Sequence, residues 1–288
     1  MPPVLRGLGW MLVAAAGSSS MNGLIRHLSA DIHTFEIALF RNVFGLLVLV
    51  PLVLDAGRAA LRTQKLRLHA LRGVLNAVAM LSFFYAVAIT PLAMVAALGF
   101  TSPLFATLLA MLILKERVGA RRLLGILAGF GGALIIIRPG LEGVSLGVGL
   151  LLISSLAWAA ALIYIKILAR TETSLTITLY AALFLTPITL VAALPFWTWP
   201  SLPHWGLLML VGALGSLTQI GVAQAFHEAE ATQVLPGDFT KLIWASLIGW
   251  LFFMEVPDLY TLLGGLVIFA SVTYVAYREA QLRPPRAK

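Results

Sequence analysis

The stretch LAMVAALGFTSPLFATLLAMLI, residues 92–113, runs for 22 residues without a charged side chain, and Lys115, Glu116, Arg117, Arg121 and Arg122 follow it directly. At 1.5 Å of rise per residue, roughly 20 apolar residues cross the hydrocarbon of a bilayer. This segment is therefore read as a transmembrane helix, with its basic end marking the cytoplasmic side.

The same alternation of apolar run and short connector occupies the whole chain. Runs fall at 8–28, 34–54, 69–88, 92–113, 120–137, 146–168, 174–194, 204–226, 231–253 and 258–277. The 288 residues are 60% hydrophobic and 11% charged, with a mean hydropathy of +0.96. Globular chains carry about 25% charged residues, so the solvent here is mostly lipid. The expected fold is an all-α membrane protein of ten spans, with no room left for a sizeable soluble domain. The first run is long enough to span and is read as helix 1, not as a cleavable signal. Cysteine is absent, which excludes disulfides.

The net charge of +8 does not indicate a nucleic-acid partner, because the bases sit in short loops between apolar runs. Sixteen fall at Arg6, in the connectors after spans 2, 4 and 6, and in the tail. Only Arg26 and Arg138 fall in the opposite connectors. By the positive-inside rule both termini are cytoplasmic. The connector between spans 7 and 8 has no base but carries Trp197, Trp199 and Trp205, as an outer interfacial belt does.

The second half repeats the first. A shift of 139 lays Phe84-Tyr85-Ala86 over Ala223-Gln224-Ala225, Glu116 over Glu255 and Gly125 over Gly264. A shift of 140 lays Arg26 over Lys166 and Ile37 over Ile177. Five helices per repeat force opposite orientations, and Glu116 among bases against Glu255 beside Asp258 agrees with that. The expected organisation is an inverted five-plus-five repeat: 8–137, 146–277 and a cytoplasmic tail 278–288. Many secondary transporters are built in this way.

Ionisable groups inside spans need a reason, since each costs roughly 2.5–3.5 kcal/mol at mid-helix on insertion scales. Lys241 in span 9 has Asp238 one turn before it, at a spacing that lets the two meet. The pair is either self-neutralising or part of the substrate pathway. Arg41 in span 2, beside Asn42, can snorkel outward, pair with Glu36 or hold a substrate carboxylate. Span 8 is polar at its cytoplasmic end, where Gln224 and His227 share a face, and Glu228 and Glu230 follow. His227-Glu228-Ala229-Glu230-Ala231 lacks the second histidine of a zinc helix. No catalytic constellation, metal site or cofactor site is visible, so an enzyme is not expected.

Aromatic residues gather on spans 3, 4, 6 and 9. Tyr85, Phe100, Trp158 and Trp244 could stack on an amphipathic ligand or hold a cation over their faces. Gly125, Gly129 and Ala133 form a small-residue ridge for helix packing on span 5. Pro103 within span 4 removes a backbone hydrogen bond and marks a gating point. Its counterpart by the shift is Leu242, so the two halves are expected to move differently.

Gly99-Phe100-Thr101-Ser102-Pro103-Leu104-Phe105, running on to Leu114-Lys115-Glu116-Arg117 and Gly125–Gly129, resembles the end of an EamA domain. Gly249-Trp250-Leu251-Phe252-Phe253-Met254-Glu255 with Gly264-Gly265 resembles the same segment in the second half, and Arg41 early in span 2 fits as well. The chain looks like a ten-helix member of the drug/metabolite transporter superfamily, which includes the YddG amino-acid exporters. That resemblance implies a central cavity among spans 1–4 and 6–9, with spans 5 and 10 peripheral. Small four-helix relatives couple to protons through a glutamate in helix 1. Span 1 here has no acid, only Ser18, Ser19, Ser20 and Asn22. Asp238-Phe239-Thr240-Lys241 and Glu255-Val256-Pro257-Asp258 also resemble the family's carriers of S-adenosylmethionine or riboflavin.

The expectation is an alternating-access transporter in a bacterial-type inner membrane, a monomer whose partners are the bilayer and a small-molecule substrate. Export of amino acids, aromatic ones included, is the first reading. A carrier for a nucleoside-like metabolite is the second, and a passive channel the third. The expected site residues are Arg41, Tyr85, Phe100, Trp158, Gln224, His227, Lys241 and Trp244, with Pro103 and Asp238 as gating or structural positions.

Overall fold

The structure is a computed structural model that describes residues 2–57, 62–113, 119–138, 145–229 and 231–282. Glu116, Glu230, Leu114 and the bases Arg58, Lys115, Arg117, Arg283, Arg286 and Lys288 lie outside the described residues. Among those described there is no β-strand. Lipid offers backbone groups no hydrogen-bond partner, so a spanning segment must satisfy its own, and a helix does so.

Among the described residues twelve α-helices follow one another: α1 (Pro3–Leu28), α2 (Thr34–Ala56), α3 (Leu66–Ile89), α4 (Leu92–Gly99), α5 (Ser102–Ile113), α6 (Ala120–Ile137), α7 (Leu146–Leu168), α8 (Ser174–Ala193), α9 (Leu202–Glu228), α10 (Ala231–Asp238), α11 (Thr240–Phe253) and α12 (Leu259–Leu282). A 3-10 turn at Leu194–Phe196 extends α8. Among the described residues six stretches are long and apolar enough to cross a membrane: 66–89, 92–113, 146–168, 176–196, 202–225 and 259–277. The last helix runs on to Leu282, into the stretch read from sequence as tail.

Two of the apolar runs are broken. Run 92–113 breaks at Phe100–Thr101, between α4 and α5. Run 231–253 breaks at Phe239, between α10 and α11, at the position related to Phe100 by the shift of 139. Both halves are thus interrupted at related positions, although Leu242 stands where the shift places the counterpart of Pro103. Pro236 lacks an N–H and Gly237 favours helix poorly, so the break follows them closely. Pro103 itself stands in the first turn of α5, where a missing N–H costs nothing.

The chain forms two compact units, each drawing on both sequence halves. The first comprises Met1–Ser20, Pro91–Ser145 and Leu217–Lys288. Here α6 and α12 pack antiparallel: Gly125 meets Val275, Gly129 meets Ser271, and Gly132 meets Ile268 and Gly264. Gly125 and Gly129 of the small-residue ridge thus lie in a helix contact, which is tightest where Gly264 meets Gly132, a residue outside that ridge. The second unit comprises Met21–Thr90 and Leu146–Ser216. Here α2 runs antiparallel to α8, with Asn42 Nδ2 donating to Thr189 Oγ1 (3.4 Å) and Thr198 joined to Glu36. Helix α3 runs antiparallel to α7, where Ser154 Oγ donates to the Ala79 carbonyl (2.7 Å) and Thr90 backs Gly147. Helices at corresponding places in the two sequence halves, α2 with α8 and α6 with α12, therefore face each other in opposite directions.

Candidate substrate site

Arg41 lies two turns into α2 and is half-buried. Its Nη1 donates to Asn42 Oδ1 at 3.4 Å, and Asn42 is itself held by Thr189. Thr189 Oγ1 in turn donates back to α8. Among the described residues no carboxylate pairs with Arg41. Glu36, the partner suggested by sequence, is fully buried elsewhere: its Oε2 accepts from the Thr198 N–H and hydroxyl, each at 3.1 Å. Five residues at about 100° each put the two side chains roughly 140° apart around α2, so they diverge. Gly215 gives the guanidinium its space, since a Cβ there would lie 3.1 Å from Arg41 Nε.

Tyr85 is half-buried on α3 in the same unit. Its ring lies 6.2 Å from His33 and 6.3 Å from Phe35. His33 stacks on Phe196 (3.9 Å, 9° between planes), and Phe35 meets His33 edge-on at 4.7 Å. Burial holds the His33 imidazole below its ordinary pKa, so the neutral ring stacks. Its Nδ1 accepts from the Phe35 N–H at 3.3 Å. Trp158 on α7 is 41% exposed and makes no close ring contact among the described residues.

The first unit holds the other expected residues. Lys241 Nζ pairs with Asp238 Oδ1 at 2.5 Å across the α10–α11 break, and both are half-buried. Ser19 Oγ donates to the Lys241 carbonyl (3.2 Å), and Thr240 Oγ1 to the Gly237 carbonyl (2.7 Å). Phe100 is only 8% exposed, and its ring lies 5.9 Å from Phe239 and 6.4 Å from Phe269. Its faces are thus largely taken by the protein's own rings at the two helix breaks. Trp244 is 37% exposed, and Gln224, His227 and Pro103 are exposed. Among the described residues no group of His, Asp or Glu is placed to hold a metal ion.

At the far end of this unit Arg138 closes α6 in the left-handed region (φ 46°). Its guanidinium pairs with Asp258 and lies 4.4 Å over the Tyr260 ring. Burial pushes the Asp258 carboxyl up, but the Thr261 hydroxyl and N–H and the Arg138 charge outweigh it, holding Asp258 below the usual carboxylate range. A carboxyl depressed in the folded state stabilises above its unfolded pKa, about 4, and loses that contribution as pH falls through its folded value. Thermal denaturation in detergent is expected to show a drop in midpoint below roughly pH 4 that shrinks in Asp258→Asn. An unchanged drop would remove this pair from the stabilising contacts.

Long apolar helices along most of the described chain define a multi-pass membrane protein. The chain belongs to the EamA-like transporter family, whose model matches twice, over residues 5–138 and 145–277. It is 29% identical to the S-adenosylmethionine uptake transporter of Rickettsia bellii, over 95% of this chain and 94% of that protein. It is 33% identical to a riboflavin transporter of Vibrio cholerae, over 96% and 95%. It is also 33% identical to a pseudopaline exporter of Pseudomonas aeruginosa, over 90% and 92%. A solved crystal structure shares the fold, with a TM-score of 0.63 at 16% identity, covering 98% of this chain and 99% of that one. All three relatives are named as transporters of small metabolites, and the chain is a small-metabolite transporter.

Proposed function

We propose that the chain is a ten-span alternating-access carrier, a monomer with both termini in the cytoplasm of a bacterial-type inner membrane. Its substrate is a small amphipathic metabolite ending in an α-amino-acid group. The observation that carries this reading is Arg41, a half-buried guanidinium without a carboxylate partner among the described residues. A cation placed there is expensive until an anion meets it, and a substrate carboxylate is that anion. Amino acids and S-adenosylmethionine both bear one, and riboflavin does not. Tyr85 and Trp158, in the same unit as Arg41, supply rings for the rest of the ligand, and the half-buried Lys241–Asp238 pair at the α10–α11 break in the other unit is a charge pair of the transport pathway. The helix breaks beside Pro103 and Asp238 supply the gating points.

The paired connectors favour this topology. Arg6 with Glu228 (3.0 Å) and Thr63 with Glu172 (2.8 Å) join segments that it places inside. Arg138 with Asp258, His204 with Asp31 (3.4 Å) and Thr198 with Glu36 join segments that it places outside.

Flux into proteoliposomes discriminates the substrates. Saturable flux is expected for S-adenosylmethionine or for aromatic amino acids. Flux of riboflavin alone, unaffected by Arg41→Ala, would sink the reading. Trp158→Ala and Lys241→Ala are expected to lower flux while membrane insertion persists. Normal flux in both would remove these side chains from the pathway.

A further inference from the structure

The α3 face that packs on α8 carries titratable groups that substrate binding does not use. His69 is fully buried, and neither ring nitrogen finds a hydrogen-bond partner among the described residues. Its ring lies 4.8 Å from that of Tyr180 on α8. Its Nε2 stands 4.0 Å from Oε2 of Glu172, in the connector between α7 and α8. The Glu172 side chain is 8% exposed, and its other oxygen accepts from Thr63 Oγ1 at 2.8 Å. The Lys65 N–H fixes Thr63 by donating to that same Oγ1 at 3.0 Å.

Arg72, one turn further along α3, does not neutralise Glu172. Its Nη1 donates to the Ile177 carbonyl (2.5 Å) on α8. The remaining described ionisable groups at this end are Arg62 beside Thr63, Lys65 and Arg67 at the start of α3, Asp55 at the end of α2, and Lys166 and Arg170 at the end of α7. Among the described residues none of these pairs with His69. Among the described residues the buried carboxylate thus pairs with His69 alone, and that partner is a cation only when the imidazole is protonated.

Histidine is the side chain whose ordinary titration falls between about pH 5 and 8. Proton uptake turns a loose 4.0 Å approach into an ion pair in a poorly screened place. Proton loss leaves Glu172 held by Thr63 alone. The two elements joined are the start of α3 and the α7–α8 connector, both on the cytoplasmic side in the proposed topology. We propose that His69 and Glu172 form a proton-binding pair that ties these inner ends together, so that protonation holds this end of the second unit shut and slows its opening. The part of this that concerns transport rests on the carrier reading above.

Backbone hydrogen exchange in detergent, corrected for the intrinsic effect of pH, tests the pair without requiring transport. Peptides covering 62–76 and 168–180 are expected to exchange about threefold or more slowly at pH 5 than at pH 8. That difference should vanish in His69→Gln and in Glu172→Gln. Counterflow in proteoliposomes should fall toward acid pH in the wild type and stay flat in both variants. If wild-type exchange shows no pH difference, or if either folded variant keeps it, the proposal is overturned. If His69→Gln does not fold, Glu172→Gln decides. A pH difference in exchange without any substrate flux would sink the carrier reading and leave the proton-binding pair standing.

Discussion

Arg41→Ala is expected to lower saturable flux by roughly ten- to a hundredfold while the protein still inserts and folds. A charge-assisted hydrogen bond contributes about 1.5–3 kcal/mol, and about 1.4 kcal/mol is tenfold in affinity. Insertion survives because among the described residues the guanidinium makes one long bond, to Asn42 at 3.4 Å, and its loss strands no described carboxylate. Alanine even removes a costly charge from the spanning helix, and the purified variant should denature at the same temperature or higher. Arg41→Lys keeps the charge but not the planar fork, so it should recover flux in part. Gly215→Ala provides an independent probe, because its methyl would press on Arg41 Nε without touching charge. A drop in affinity there, with normal expression, ties the position of the guanidinium to substrate. Full flux in Arg41→Ala would leave the carboxylate-bearing substrate without support.

The second large effect concerns stability. A Cβ at Gly264 would stand 2.5 Å from the Gly132 carbonyl oxygen and 2.5 Å from Ile136 Cγ1. The carbonyl belongs to a helix backbone and cannot rotate away, so α6 and α12 would have to separate. Overpacking of a well-packed contact costs about 1–3 kcal/mol, and Gly264→Leu should reach the top of that range or exceed it. In lipid, close packing between small residues is a main source of helix association, so little else offsets the loss. The expected readout is a large fall in denaturation midpoint, or loss of monodisperse protein. Gly131→Ala is the control: nothing lies within 4 Å of its Cβ position, and alanine favours helix by up to about 1 kcal/mol. That variant should be neutral or slightly stabilised. Equal behaviour of the two would remove the glycine contact as the reason that α6 and α12 hold together.

The helices were readable from sequence because lipid leaves a segment few alternatives, and a 22-residue run without charge states its own length. The antiparallel pairs α2 with α8 and α6 with α12 join helices at places that a shift of 139 relates in the sequence. The break at Phe239 is less legible, because Pro236-Gly237 precedes it by two residues and Leu242, the residue related to Pro103, carries an ordinary N–H. Sequence spacing offered Glu36 to Arg41, yet the angle around α2 separates them, and Glu36 turns to Thr198, 162 residues away. The cluster of His33, Phe35, Tyr85 and Phe196 carries no local pattern at all. Its members come from three separate segments, and only the antiparallel packing of the second unit gathers them. Phe100 shows the converse: a ring expected to face ligand is largely occupied by Phe239 and Phe269.

Relatives of this chain are named for uptake and for export alike, which fits a carrier whose net direction follows its gradients. Trans-stimulation tests such a carrier most directly. Proteoliposomes would be loaded with unlabelled S-adenosylmethionine, or with an unlabelled aromatic amino acid, and offered the labelled compound outside. Alternating access about Arg41 requires loaded vesicles to take up label faster than empty ones, with a transient overshoot that Arg41→Ala diminishes. Equal filling of loaded and empty vesicles, with no overshoot for any carboxylate-bearing substrate, would contradict it.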